Sequence, residues 1–121
     1  MDITGVDFIA VPTADWERAK AFYGGTLGLP FVKGWGTRPA GEFQAGNLTI
    51  AVMQSEAFGS EFRRSSTAVA LQVADVAAAR AELEGEGVAF HGDIIDSGVC
   101  HQAHFADPDG NPLILHHRYA A

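Results

Sequence analysis

The residues best suited to chemistry are gathered in the C-terminal quarter: Cys100, His101, His104 and His116. Imidazoles bind divalent metals and move protons near neutral pH, and a thiolate is a nucleophile. Their spacing weakens both uses. Successive side chains of a strand point to opposite faces, so His101 is not the obvious base for Cys100. His101 and His104 likewise face opposite ways, and one of them could approach His116. Two imidazoles without a third donor fall short of a metal site, so polar lining or surface is the simpler account of all three. His91 and His117 read as surface. A reactive cysteine needs an electropositive setting, which an acidic chain does not advertise, so Cys100 reads as a structural thiol. No G-x-S-x-G, H-E-x-x-H or phosphate-binding glycine motif is present. Asp2, Asp7, Glu42, Asp93 and Asp96 could collect a cation, although solvated surface is the ordinary account of each.

Composition bounds what these residues can serve. The 121 residues are 47% hydrophobic and 19% charged, which fits one globular domain, 1–121. Lys plus Arg total 8 against 15 Asp plus Glu, a net charge of −7. Nucleic-acid binders carry a basic face, and Arg63-Arg64 is the only basic pair here, so no nucleic-acid partner is expected. The charge favours neutral or cationic ligands. No long apolar run predicts a membrane span, and no leader pattern is expected at Met1-Asp2. A lone cysteine fits a reducing cytoplasm.

An internal repeat sets the elements that must position these residues. Ile9–Ala21 matches Val69–Ala81, pairing Ala10 with Ala70, Asp15 with Asp75 and Ala19 with Ala79. Gly46-Asn47 answers Gly110-Asn111. In each copy a strand (3–11, 68–73) leads to an Asp that caps a helix. Trp16, Ala19, Phe22 and Tyr23 follow helical spacing in the first, and Val76, Ala79 and Leu83 in the second. Gly24-Gly25, and Gly85 with Gly87, stop the helices. Three strands follow in each copy: 30–33, 42–45 and 48–53, then 89–95, 101–106 and 112–117. Gly46-Asn47 and Asp107–Gly110 are the predicted turns. The order is βαβββ twice: module 1 over 1–53, a linker over 54–67, and module 2 over 68–121. The fold class is α+β.

The paired modules, the helix Asp15-Trp16-Glu17-Arg18-Ala19-Lys20-Ala21-Phe22-Tyr23 followed by Leu27-Gly28-Leu29, and Asp107-Pro108-Asp109-Gly110-Asn111 before the last strand together form a specific combination. It resembles the vicinal oxygen chelate superfamily, the glyoxalase, bleomycin-resistance and dioxygenase group, from Thr4 to His117. The resemblance implies a curved mixed sheet around a cavity and a homodimer, with or without exchanged modules. It also implies four metal ligands, mostly His and Glu, on the first and last strands of each module. Matched to the family pattern, those positions hold Phe8, Ile50, Ala68 and Ile114. None offers an oxygen, imidazole or thiolate donor, so no metal and no cofactor are expected.

With those positions apolar, the expected cavity lining is Phe8, Ala10, Ile50 and Val52 from module 1. Module 2 adds Ala68, Ala70, Gln72, Ile114 and His116, with His104 near them. Apolar surface with a few polar points is the make-up of a small-molecule pocket. Trp35, flanked by Gly34 and Gly36, is a candidate for stacking a flat ligand. Trp16 reads instead as a clamp between helix and sheet. The implied function is metal-free sequestration of a hydrophobic or aromatic antibiotic, with no catalytic residue. The alternative is a lyase or dioxygenase whose metal has moved toward His101, His104 and His116.

Overall fold

The computed structural model describes residues 1–121, which fall into two compact units, Met1–Arg64 and Ser65–Ala121. In the first unit β1 (Ile9–Thr13) leads to a helix α1 (Trp16–Lys20). The Asp15 carboxylate accepts from the Arg18 N–H at 3.1 Å, so the predicted cap is present. The helix does not stop at Gly24-Gly25. It widens into π-type turns over Ala21–Thr26, with the Leu27 N–H reaching the Phe22 carbonyl. A Cβ on Gly24 would come 3.3 Å from the Phe43 ring, so this glycine permits close packing on the sheet. The left-handed residue that ends the turn is Gly28, at φ 69°.

Three strands complete the unit: β2 (Phe31–Gly34), β3 (Ala40–Ala45) and β4 (Leu48–Gln54). They join in the order β1-β4-β3-β2, with β1 parallel to β4 and the other pairs antiparallel. Gly46-Asn47 makes the predicted two-residue turn, with Gly46 at φ 58° in its first position. The first strand is shorter than predicted. Residues 1–8 lie outside the sheet, and Ile3 and Val6 are exposed. Beyond β4 the expected linker contains one tight turn of helix, Ser55–Phe58.

Alternation places Ile9, Val11 and Thr13 on the face that α1 covers, beside Ile50, Val52, Gly41 and Phe43. The core there is aromatic. Phe43 lies 6.2 Å from Trp16, 5.9 Å from Tyr23 and 5.3 Å from Phe31, centroid to centroid. Trp16 thus clamps helix to sheet, and its backbone N–H donates to Gln54 Oε1 at 2.9 Å.

The second unit repeats the plan. Its elements are β5 (Val69–Gln72), α2 (Val76–Gly85), β6 (Phe90–Asp96), β7 (Cys100–Ala106) and β8 (Pro112–Arg118). The order is β5-β8-β7-β6, again with the outer pair parallel. Asp75 caps α2 through the Ala78 N–H at 2.9 Å. Val76 and Leu83 are buried with Ala103, Phe105, Leu113 and Leu115. The turn before β8 is knotted by side chains. Asp107 Oδ1 accepts from the Asp109 and Asn111 N–H groups at 2.9 Å, and Asn111 Nδ2 donates to Asp107 Oδ2 at 2.8 Å. Asn111 Oδ1 takes the Ser65 N–H at 2.7 Å, which anchors the start of the unit. No helix in either unit is long and apolar enough to cross a membrane.

The C-terminus is clasped to the β6–β7 turn. The Tyr119 N–H donates to the Val99 carbonyl, and the Tyr119 hydroxyl donates to Asp96 Oδ1 at 2.6 Å. That hydroxyl, then the Gly98 N–H, holds the Asp96 carboxyl below the ordinary carboxylate range. The ionised form is the one the fold favours. The clasp therefore contributes fully above the ordinary carboxylate pKa and is lost as pH falls through the lowered one. Tyr119→Phe should return Asp96 toward its ordinary titration, followed through the carboxyl carbon by NMR; an unmoved curve would contradict the assignment. In the first unit, a Cβ on Gly41 would stand 2.7 Å from Phe31 Cε1 and 2.8 Å from Trp16 Cη2. Gly41→Ala should cost about 1–3 kcal/mol by overpacking, read as a lower urea midpoint at unchanged slope.

Candidate functional site

Each helix covers one face of its sheet, and the opposite face carries the candidate residues. In the second unit that face holds Ala70 and Gln72 on β5, Ile114 and His116 on β8, and Gln102 and His104 on β7. Ala68 lies just before β5 and is exposed. Ala70 pairs with Ile114, which pairs with His104, which pairs with His91 on β6. Gln72, His116 and Gln102 form the neighbouring row. His104 Nε2 lies 3.1 Å from Gln102 Oε1. The result is a half-exposed surface of imidazoles and amides around one isoleucine.

His101 does not join them. It pairs with His117 on the helix side, 3.3 Å from Asp96 Oδ2 and with its ring 4.8 Å from that of Tyr119. The three histidines of the displaced-metal alternative therefore do not share a face. His117 Nδ1 is occupied by the Val73 carbonyl at 3.1 Å. Cys100 is buried, with its sulfur 3.0 Å from Ser97 Oγ.

In the first unit the corresponding face is formed by Ala10 and Pro12, Thr49, Ala51 and Met53, and Glu42 and Gln44. Ile50 and Val52 are not on it. Both are fully buried under α1, contrary to the expectation from sequence. The difference is one residue of register. Ala10, the repeat partner of Ala70, pairs with Ala51, whereas Ala70 pairs with Ile114. The hairpin at Gly46-Asn47 is closed by Ala45 and Leu48, while Asp107–Asn111 bridges Ala106 and Pro112. Matching the two Gly-Asn pairs slides the strand by one and turns every side chain over. The first-unit counterpart of Ile114 is thus Ala51.

With the register of the sheets, the positions that the resemblance implies for metal ligands fall on Phe8, Ala51, Ala68 and Ile114. Methyl groups, a branched alkyl chain and a phenyl ring supply no donor. Elsewhere, no three His, Cys, Asp or Glu side chains come together in a way that could hold an ion. The residues present do not fit the metal.

Aromatic surface takes up part of that space in the first unit. Phe8, just before β1, is exposed, and its ring lies 5.8 Å from that of Trp35 at 70°. Phe58 approaches Trp35 at 6.0 Å and 83°. Trp35 is half-buried and held rather than free, because its indole N–H donates to Glu42 Oε2 at 2.8 Å. The loop around it is closed by the Trp35 N–H to the Ala40 carbonyl at 3.1 Å. Beside Phe58 a depression of about 190 Å³ is lined by Ala10, Val11, Pro12, Met53, Ser55, Phe58 and Ser60. Drug-sized ligands occupy roughly 300–1,000 Å³, so this depression holds only part of one. Sequence reasoning did not bring Met53, Phe58 or Gln102 to these faces. Alternation along β4 and β7 was the available signal for Met53 and Gln102.

Comparison with known proteins agrees with this geometry. Residues 5–115 match the model of the Glyoxalase/Bleomycin resistance protein/Dioxygenase superfamily. TnmS3, an antibiotic binding protein from Streptomyces sp. CB03234, is 28% identical, with a TM-score of 0.81 over 98% of both chains. A lactoylglutathione lyase from Agrobacterium tumefaciens is 15% identical, with a TM-score of 0.77 over 97% of this chain and 96% of that one. A glyoxalase/bleomycin resistance protein/dioxygenase from Nocardioides is 16% identical, with a TM-score of 0.77 over 98% and 85%. No curated protein matches the sequence. With the family pattern running through nearly all of both units, the chain belongs to the glyoxalase/bleomycin resistance protein/dioxygenase superfamily.

Proposed function

We propose that this chain is a metal-free binding protein that sequesters a flat, largely apolar small molecule, an antibiotic being the favoured class. The observation that carries the reading is the chemistry of the four ligand positions, Phe8, Ala51, Ala68 and Ile114. Without donors there, the superfamily's metal-assisted polarisation of a substrate oxygen has no support. The same positions instead offer apolar contact and, at the exposed Ala68, room. The likeness to an antibiotic binding protein supports the reading, because 28% identity extends over almost the whole chain. The ligand surfaces proposed are Phe8, Trp35, Ala10 and Ala51 in the first unit. In the second they are Ala68, Ala70, Gln72, His104, Ile114 and His116. Gln72 and His116 serve as hydrogen-bonding anchors.

We also propose that the chain works as a twofold homodimer. Exposed Ile3, Val6, Phe31, Val32, Ile95 and Val99 leave more apolar surface than a lone subunit needs. Light scattering at micromolar concentration should give twice 12.8 kDa, the behaviour of a standard-sized interface; a mass of one chain would remove the proposal.

Tryptophan fluorescence tests the binding reading directly, since Trp16 is locked in the helix-side core and Trp35 lies on the opposite face. Titrating bleomycin, mitomycin and polycyclic aromatic drugs should quench Trp35. The quench should vanish in Trp35→Phe, and Trp35→Ala should weaken binding by about 1–3 kcal/mol. Zinc, nickel, iron or manganese should leave both the affinity and the melting temperature unchanged. A metal-dependent rise in either, or the failure of every such compound to bind, would count against the reading.

A further inference from the structure

The carboxylate of Glu42 is the one charged group of the first-unit sheet that is built into the aromatic surface. Its side chain is only 16% exposed. It stands in a cross-strand row, Ala10–Ala51–Glu42–Lys33, directly beside the position where the family would carry a ligand. Both residues on its β1 side are alanines, of which Ala51 is fully buried and Ala10 exposed. Oε2 is bound to the Trp35 indole N–H, which fixes the carboxylate against the ring. Oε1 accepts no hydrogen bond. Lys33 Nζ lies 3.8 Å from Oε2, beyond hydrogen-bonding distance, and is 66% exposed, so this pair is weak. The neighbouring rings already hold a cation: the Arg38 guanidinium sits 4.0 Å above the centroid of Phe58.

A largely buried carboxylate locked to an indole that two phenyl rings meet edge-on is the chemistry that recognises an organic cation. We propose that Glu42, with Trp35, forms a subsite for a positively charged nitrogen carried on a flat aromatic ligand. This rests on the sequestration reading and narrows it from neutral or cationic ligands to cationic ones. Glu42 supplies the counter-charge and Trp35 the ring face. Lys33 is the competitor that a ligand cation displaces.

Isothermal titration calorimetry with two probes of the same shape tests this. They are 10-methylacridinium, which is permanently charged, and acridine, which is neutral at mildly alkaline pH. The wild-type protein should prefer the cation by about tenfold. Glu42→Gln keeps an oxygen for the indole N–H and removes the charge. It should leave acridine affinity unchanged and bring the two probes level, with an unchanged melting temperature showing that the fold is intact. Lys33→Gln should strengthen binding of the cation and not of acridine. Equal affinity of both probes for the wild type would overturn the cation subsite while leaving sequestration standing. A preference that survives Glu42→Gln would do the same. If neither probe binds, both readings fall together.

Discussion

In each unit the first strand pairs in parallel with the last, Ala10 beside Ala51 and Ala70 beside Ile114, and the helix between them must cross one face of the sheet. Everything else in the site follows from that crossing. The covered face becomes the core, closed by Phe43 and Tyr23 in one unit and by Phe105 and Leu113 in the other. The opposite face receives no helix and keeps the residues of alternate parity. A parallel pair cannot be joined by a tight turn, so the helix cannot be removed without losing the pairing. The uncovered face is therefore a by-product of connectivity, and its chemistry is free to vary while the core is held.

The two units use that freedom differently. Glu42 pairs with Ala51 as His104 pairs with Ile114, so the two occupy equivalent places in the repeat. In the first unit the position is acidic and braced by an indole. In the second it is an imidazole within hydrogen-bonding distance of an amide, in a row with His91. A bulge on β2 contributes to the difference. Phe31 pairs with Phe43 but Lys33 pairs with Glu42, so one extra residue turns Lys33 away from the core and onto the carboxylate. One module thus presents an acidic aromatic surface and the other a surface of imidazoles and amides.

Much of this was legible in the residues. The repeat, both Asp caps, the Gly46-Asn47 hairpin and the side-chain knot at Asp107–Asn111 are local features, each carried by a few neighbouring residues. The absence of donors at Phe8, Ala68 and Ile114 is what the match to the family pattern implies. The opposition of His101 and His104 follows from alternation within a single strand, which needs no knowledge of the partner strand. The tertiary structure decided whatever depends on pairing between strands. It turned Ile50 and Val52 into the core under α1 and put Ala51 on the opposite face, because the two hairpins differ by one residue of register. It chose His104 over His101 as the neighbour of His116. It also bound Trp35, placed between glycines in the sequence, to a carboxylate seven residues on. Alternation determines which side chains share a face with one another, but only the ladder of hydrogen bonds between distant segments determines which face a helix covers and which a ligand can reach.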